Sequence, residues 1–143
     1  IFAEITASQT SDRDTVSAIG DGKEPRWSSG KKVPRWSSRP QKGKDQWVEA
    51  RFPGTRKVRS VGVYWMQDRQ DVLFPKEWSL EVKQGGQWKP FELYVTDRYD
   101  TRANQYNVVH PAAPLTCDAI RINMTPKEDG CVGILEVQVA FEE

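Results

Sequence analysis

The sequence predicts an all-β chain folded as an antiparallel β-sandwich, and three observations predict it. Short runs alternate apolar and polar side chains with the two-residue period of a strand that buries one face. No stretch long enough for a helix carries a helical period. Nine prolines and ten glycines are spread between the short runs rather than gathered in one linker. Strands at that spacing, without intervening helices, read as a sandwich or barrel.

In chain order, Ile1, Phe2 and Ile5 form a weak apolar start expected to be an edge strand, and Asp21-Gly22 marks a tight turn. A five-residue repeat follows: Pro25-Arg26-Trp27-Ser28-Ser29 recurs as Pro34-Arg35-Trp36-Ser37-Ser38. Two copies are too few for a solenoid. They are either a coincidence within a Ser/Pro/Lys-rich loop or a loop displaying two Arg-Trp pairs. Trp47 to Phe52 reads as a short strand stopped by Pro53-Gly54. Val61, Val63 and Trp65 alternate with Gly62, Tyr64 and Met66, and the period returns in Trp78, Leu80 and Val82. Between these two strands, the loop Gln67 to Phe74 is richer in charge than a connection requires. Gly85-Gly86 supplies the positive φ angles of a two-residue hairpin turn, after which Trp88 opens another strand. Thr96 to Asn107 is a long polar loop, and Val108-Val109 a further short strand. Ile120, Ile122 and Met124 then alternate, and Leu135, Val137, Val139 and Phe141 share one face of the last strand. Trp47, Trp65, Trp78 and Trp88 all fall on strands and are expected in the core.

Composition narrows the function. With 21 basic and 20 acidic residues the net charge is +1, so the whole-molecule field gives no strong pull toward nucleic acid or anionic membrane. No apolar run approaches the roughly 20 residues of a transmembrane helix. Residues 1–143 are expected to form one domain, with its core at about 15–141. The start Ile1-Phe2-Ala3 carries neither an initiator Met nor a signal pattern, which predicts a module cut from a longer chain or a mature segment. Cys117 and Cys131 each stand at the beginning of a predicted strand. In a hairpin those positions lie at opposite ends, beyond the roughly 7 Å between Cα atoms that a disulfide spans, so two free buried thiols are expected. His110 is the single histidine, and neither a Ser-His triad nor a His-rich metal site can be assembled around it. No Gly-rich phosphate loop occurs. Glycoside hydrolysis needs only two carboxylates, but the sequence singles out no pair among its 20 acidic residues.

The order of motifs carries a family resemblance. An Asp-Gly loop is followed by a Trp-Val strand ending in an aromatic (Trp47 to Phe52), Val-x-Val-x-Trp (Val61 to Trp65) and Pro-x-x-Trp-x-Leu-x-Val (Pro75 to Val82). Gly-Gly-x-Trp (Gly85 to Trp88), Ile-Arg-Ile (Ile120 to Ile122) and Gly-Ile-Leu-Glu-Val (Gly133 to Val137) complete the series. The chain resembles the galactose-binding-like or discoidin module, the coagulation factor 5/8 type C β-sandwich. It is similar in particular to versions attached to bacterial glycoside hydrolases, including the β-L-arabinofuranosidase type. Many such modules carry a Thr followed two residues later by Trp after the Asp-Gly loop. Here the stretch reads Pro34-Arg35-Trp36-Ser37-Ser38-Arg39, displaced by an insertion.

The resemblance implies a jelly roll of about eight strands and a non-catalytic carbohydrate-binding or accessory module, secreted or periplasmic. Its implied partners are a glycan and the catalytic domain of a parent chain, with no nucleic acid. It also implies a structural Ca²⁺ with Asp21 and Glu136 as side-chain ligands, helped by carbonyls near Ile19 and Lys23. The alternative for these two residues is a hydrogen-bonded Asp turn and an Arg-paired Glu. For the sugar site, aromatic rings stack on sugar faces while polar groups bind hydroxyls. The loop candidates are Trp27, Trp36 and Tyr99, with Arg35, Asp68, Arg69 and Arg98 as polar partners; Phe74, Tyr106 and Asn107 are further candidates. Each could equally be packed under a loop. An adhesion module binding protein or a lipid surface through exposed loop aromatics is the alternative function.

Overall fold

The computed structural model describes residues 2–29 and 33–142. Its strands are β1 (Glu4–Ala7), β2 (Trp36–Ser37), β3 (Gln46–Trp65), β4 (Glu77–Gln84), β5 (Gln87–Pro90), β6 (Tyr106–Val109), β7 (Leu115–Thr125) and β8 (Gly133–Glu142). A single 3-10 turn, Val16–Gly20, is the helical element among the described residues.

β3 organises the fold by serving two sheets. Its first part, Gln46–Arg51, pairs with β7 on one side, and Val48–Arg51 with β1 on the other; β7 continues to β4 and β4 to β5. Its last part, Val58–Trp65, pairs with β8, Val61–Tyr64 also with β6, and β8 in turn holds β2. The two faces so formed enclose one core, in which Val48, Ala50 and Phe52 of early β3 meet Trp65 of late β3, Trp78 and Leu80 of β4, and Ile120 and Ile122 of β7. The predicted sandwich is therefore the observed architecture, a galactose-binding-like one.

Pro53-Gly54 does not end a strand as expected. The five-residue step from Arg51 to Arg56 faces only a two-residue step from Ala119 to Cys117, so the chain bulges there. Proline lacks the ladder N–H and is tolerated at a bulge, and Gly54 takes φ +84°. The strand bends and crosses to the second sheet. The Gly85-Gly86 hairpin forms as predicted, with φ of +57° and +78°.

Two expectations about side chains are corrected. Trp65 and Trp78 are buried and meet edge to face at 5.2 Å, but Trp47 and Trp88 are only half-buried. Trp47 lies opposite Asn123 in the β3–β7 ladder, and the Arg121 guanidinium sits 4.1 Å from the Trp88 ring centre. Strand alternation puts both on the solvent face of the first sheet. On β8, Tyr64 faces Glu136 while Trp65 faces Ile134, a bulge at Leu135. It turns Leu135 away from the Val137 face and into a second cluster with Tyr64, Met66, Val72 and Cys131. Cys117 and Cys131 are both free and buried.

Candidate functional site

Three segments converge beside β2. The Ser11 amide donates to the Ser37 carbonyl at 3.1 Å and the Thr15 amide to the Arg35 carbonyl at 3.2 Å, fastening residues 11–15 along the strand. Ser37 Oγ also donates to Asp14 Oδ2. On the far side, Asp68 Oδ1 accepts the amides of Gln70 and Val72 at 2.9 and 3.0 Å, closing the charged loop on itself. Arg39, just past β2, clamps that loop: Nε donates to Asp71 Oδ1 at 2.7 Å, and Nη2 bonds both Asp71 and Asp68. The Asp71 bond, opposed by burial and reinforced by Asp68, raises the guanidinium pKa, so Arg39 stays charged. Burial alone would push the Asp68 carboxyl up, but the Arg39 bond and the two loop amides outweigh it and hold it below the usual carboxylate range.

Between these segments lies an open recess of about 1050 Å³, lined by Arg13, Asp14, Arg35, Arg39, Asp68 and Arg69 together with smaller neutral groups. Three of the predicted polar partners, Arg35, Asp68 and Arg69, are thus brought together. Arg35 Nε donates to the Val33 carbonyl at 3.2 Å. Arg98 and Tyr99 do not line the recess. Tyr99 packs edge to face on Trp78 at 4.7 Å, and its hydroxyl accepts the Leu80 amide at 3.1 Å, which is a structural role.

Trp36 is a correction. It is 0% exposed, its indole N–H donates to the Gln9 carbonyl at 2.8 Å, and neither ring face can receive a ligand. Trp27, by contrast, is 60% exposed, two residues from Ser29 at the rim of the recess. Phe74 packs against the core, Tyr106 meets Tyr64 at 5.2 Å, and Asn107 is buried with its amide donating to main-chain carbonyls.

The second expected site sits on the outer face of β8. Glu136 is 3% exposed; its Oε2 accepts the Gly22 amide at 2.9 Å, while Oε1 is buried without a hydrogen-bond partner. Burial, opposed by the Gly22 amide and reinforced by Asp21 and Glu24, pushes its carboxyl up to about 8. Asp21 Oδ1 accepts the Lys23 amide at 2.9 Å, an Asp turn as the alternative expected. Among the described residues Glu136 has no arginine partner. An orphaned carboxylate oxygen beside further acidic groups fits a cation. Among the described residues no three His, Cys, Asp or Glu side chains stand at metal-holding geometry, so main-chain carbonyls would have to complete the set.

The sequence missed Arg13, Asp14, Gln70 and Arg39 in the recess. Arg39 directly follows the second repeat copy, and the Asp68/Asp71 pair in a charged loop was a usable sign that a cation answers it. Arg13-Asp14 carried no such sign. Glu24, which accepts Tyr106 Oη at 2.9 Å and Gln138 Nε2 at 3.0 Å next to Glu136, was also missed.

A two-sheet frame joined by one bent strand, with its recess among the loops, makes this a galactose-binding-like β-sandwich. The F5/8 type C domain model matches residues 4–137, and the chain belongs to that family. Among curated protein sequences none matches this chain. Solved structures are similar throughout. One from the Streptococcus pneumoniae beta-galactosidase BgaA has a TM-score of 0.80 at 21% identity, covering 97% of this chain and 91% of that one. The family 32 carbohydrate-binding module of Clostridium perfringens NanJ, in complex with galactose, has a TM-score of 0.75 at 16% identity, covering 97% and 93%. The family 32 module of AlyQ, in complex with 4,5-unsaturated mannuronic acid, has a TM-score of 0.67 at 17% identity, covering 98% and 95%. At these identities the likeness establishes the fold.

Proposed function

We propose that this chain is a non-catalytic carbohydrate-binding module that holds glycan at the recess beside β2, as part of an exported carbohydrate-active enzyme. The observation that carries the reading is the recess itself: a sugar-sized concavity with convergent charged groups on rigidly fastened loops, in a chain of the F5/8 type C family. The structural neighbours NanJ and AlyQ, solved with sugars bound, support the ligand class, and BgaA supports a glycosidase as parent. Exposed Trp27, two residues before the lining residue Ser29, is the ring assigned to stacking in this reading. Catalysis is disfavoured by the chemistry of the recess: Asp68 is held ionised by Arg39, the opposite of what a general acid needs.

Among the described residues, no helix is long and apolar enough to cross a membrane. Calcium belongs to the same proposal, held by Glu136 and Asp21 with nearby carbonyls, where it would neutralise the buried carboxylate and tie the 21–24 loop to β8. Binding is tested by glycan array and by calorimetric titration at millimolar sugar. Retention of a defined oligosaccharide that weakens in Trp27→Ala is expected; no binding to any glycan would refute the reading.

A further inference from the structure

Resting on the glycan-binding proposal, we infer that the recess selects an acidic glycan, with Arg13 and Arg69 reading a carboxylate or sulfate ester carried on the sugar. Among the described residues, the lining supplies four arginines against two aspartates. Arg39 is consumed by Asp68 and Asp71, while Asp14 accepts the neutral Ser37 hydroxyl, so the lining keeps more cationic than anionic groups unpaired. Arg13 and Arg69 are exposed and, among the described residues, have no ion-pair partner. Guanidinium groups present paired N–H donors that match the two oxygens of a carboxylate or sulfate, and such charge-assisted pairs are stronger than bonds to neutral hydroxyls.

The lining also lacks what a neutral sugar uses best. Among the described residues no aromatic ring lines the recess, Trp36 being sealed beneath β2 and Trp27 outside. A neutral pyranose would find stacking only on Trp27, outside the lining, and would leave two cations unanswered. Net charge does not produce this preference, since the whole chain is only +1; the local arrangement does.

The test is calorimetric titration of the whole chain with trigalacturonate against its carboxyl-reduced form, and with a sulfated carrageenan tetrasaccharide against its desulfated form. The two arms separate carboxylate from sulfate as the source of the anion. In at least one arm the acidic member should bind about tenfold tighter than its neutral counterpart. That preference should shrink several-fold between about 20 and 200 mM NaCl, as screening of exposed charges requires. The double variant Arg13→Gln/Arg69→Gln should lose the preference while keeping the wild-type melting temperature. Equal affinity for acidic and neutral members in both arms would overturn this inference and leave glycan binding standing. No binding by any of the four sugars would overturn this inference, whereas glycan binding itself falls only if the glycan array is also blank. A preference that survives in the double variant would also overturn it, by removing Arg13 and Arg69 from the role.

Discussion

Pro25–Ser29 and Pro34–Ser38 are the same five residues, and the fold puts them to opposite uses. In the second copy Trp36 is wholly buried, and its strand pairs with Ile134 and Gly133 of β8. Ser37 and Ser38 are buried too, and Ser38 Oγ accepts the Val132 amide at 3.1 Å. In the first copy no strand forms, and Trp27 is 60% exposed. That copy is held at Ser28: its N–H donates to Asn104 Oδ1 at 2.7 Å, the Asn104 main-chain N–H donates back to Ser28 Oγ at 2.8 Å, and the Gln67 main-chain N–H donates to the Ser28 carbonyl at 2.9 Å. Local sequence is identical, so the partner strand decides. One copy has a ladder that turns its indole inward; the other is pinned at a polar residue, which leaves its indole in water.

The sharpest break of this comparison is Trp36→Ala, expected to destabilise the protein by about 3–5 kcal/mol in denaturant unfolding, as large core deletions do. The next probes the loop leading into the first copy. Because Glu136 holds a proton in the folded state up to about pH 8 that the unfolded chain releases near 4.5, metal-free stability should fall as pH rises between those values. Glu136→Gln should flatten that profile and raise metal-free stability at pH 8 by about 1–3 kcal/mol. Added calcium should raise the wild-type melting temperature more at pH 8 than at pH 5, and should not act on the variant. An unchanged melting temperature with chelator at pH 8 would remove the metal. Asn104→Ala removes the Oδ1 acceptor of the Ser28 N–H and puts an alanine at φ +62°, at an expected cost of about 1–2 kcal/mol. Smallest in stability is Trp27→Ala, expected within about 0.5 kcal/mol of wild type while glycan affinity falls. Equal losses of stability in Trp27→Ala and Trp36→Ala would erase the contrast.

Much of the frame was legible because alternation is a local property. The hairpin at Gly85-Gly86, the Trp78–Leu80–Val82 face and the edge strand at Ile5 all follow from two-residue periods and turn chemistry. The failures lie where register, not periodicity, decides. The bulge at Leu135 reverses a side chain that strict alternation places in the core, and the bulge across Pro53-Gly54 lets one strand serve both sheets. Trp47 and Trp88 were misassigned because hydrophobic character does not say which face of a strand a tryptophan occupies. At the site, Arg35, Asp68 and Arg69 stood out as charged loop residues, whereas Arg13 and Asp14 come from a polar segment whose place depends on two hydrogen bonds to β2.

The sequence by itself determined the class of fold, the family and the alternating faces of most strands, since these rest on patterns that survive without knowledge of neighbours. Tertiary structure alone decided which of two identical pentapeptides is buried, which carboxyl oxygens among the described residues are buried without a partner, and which arginines line one recess. Those outcomes depend on residues far apart in the chain sharing a ladder or a loop junction, and nothing in a local pattern encodes who the distant partner is.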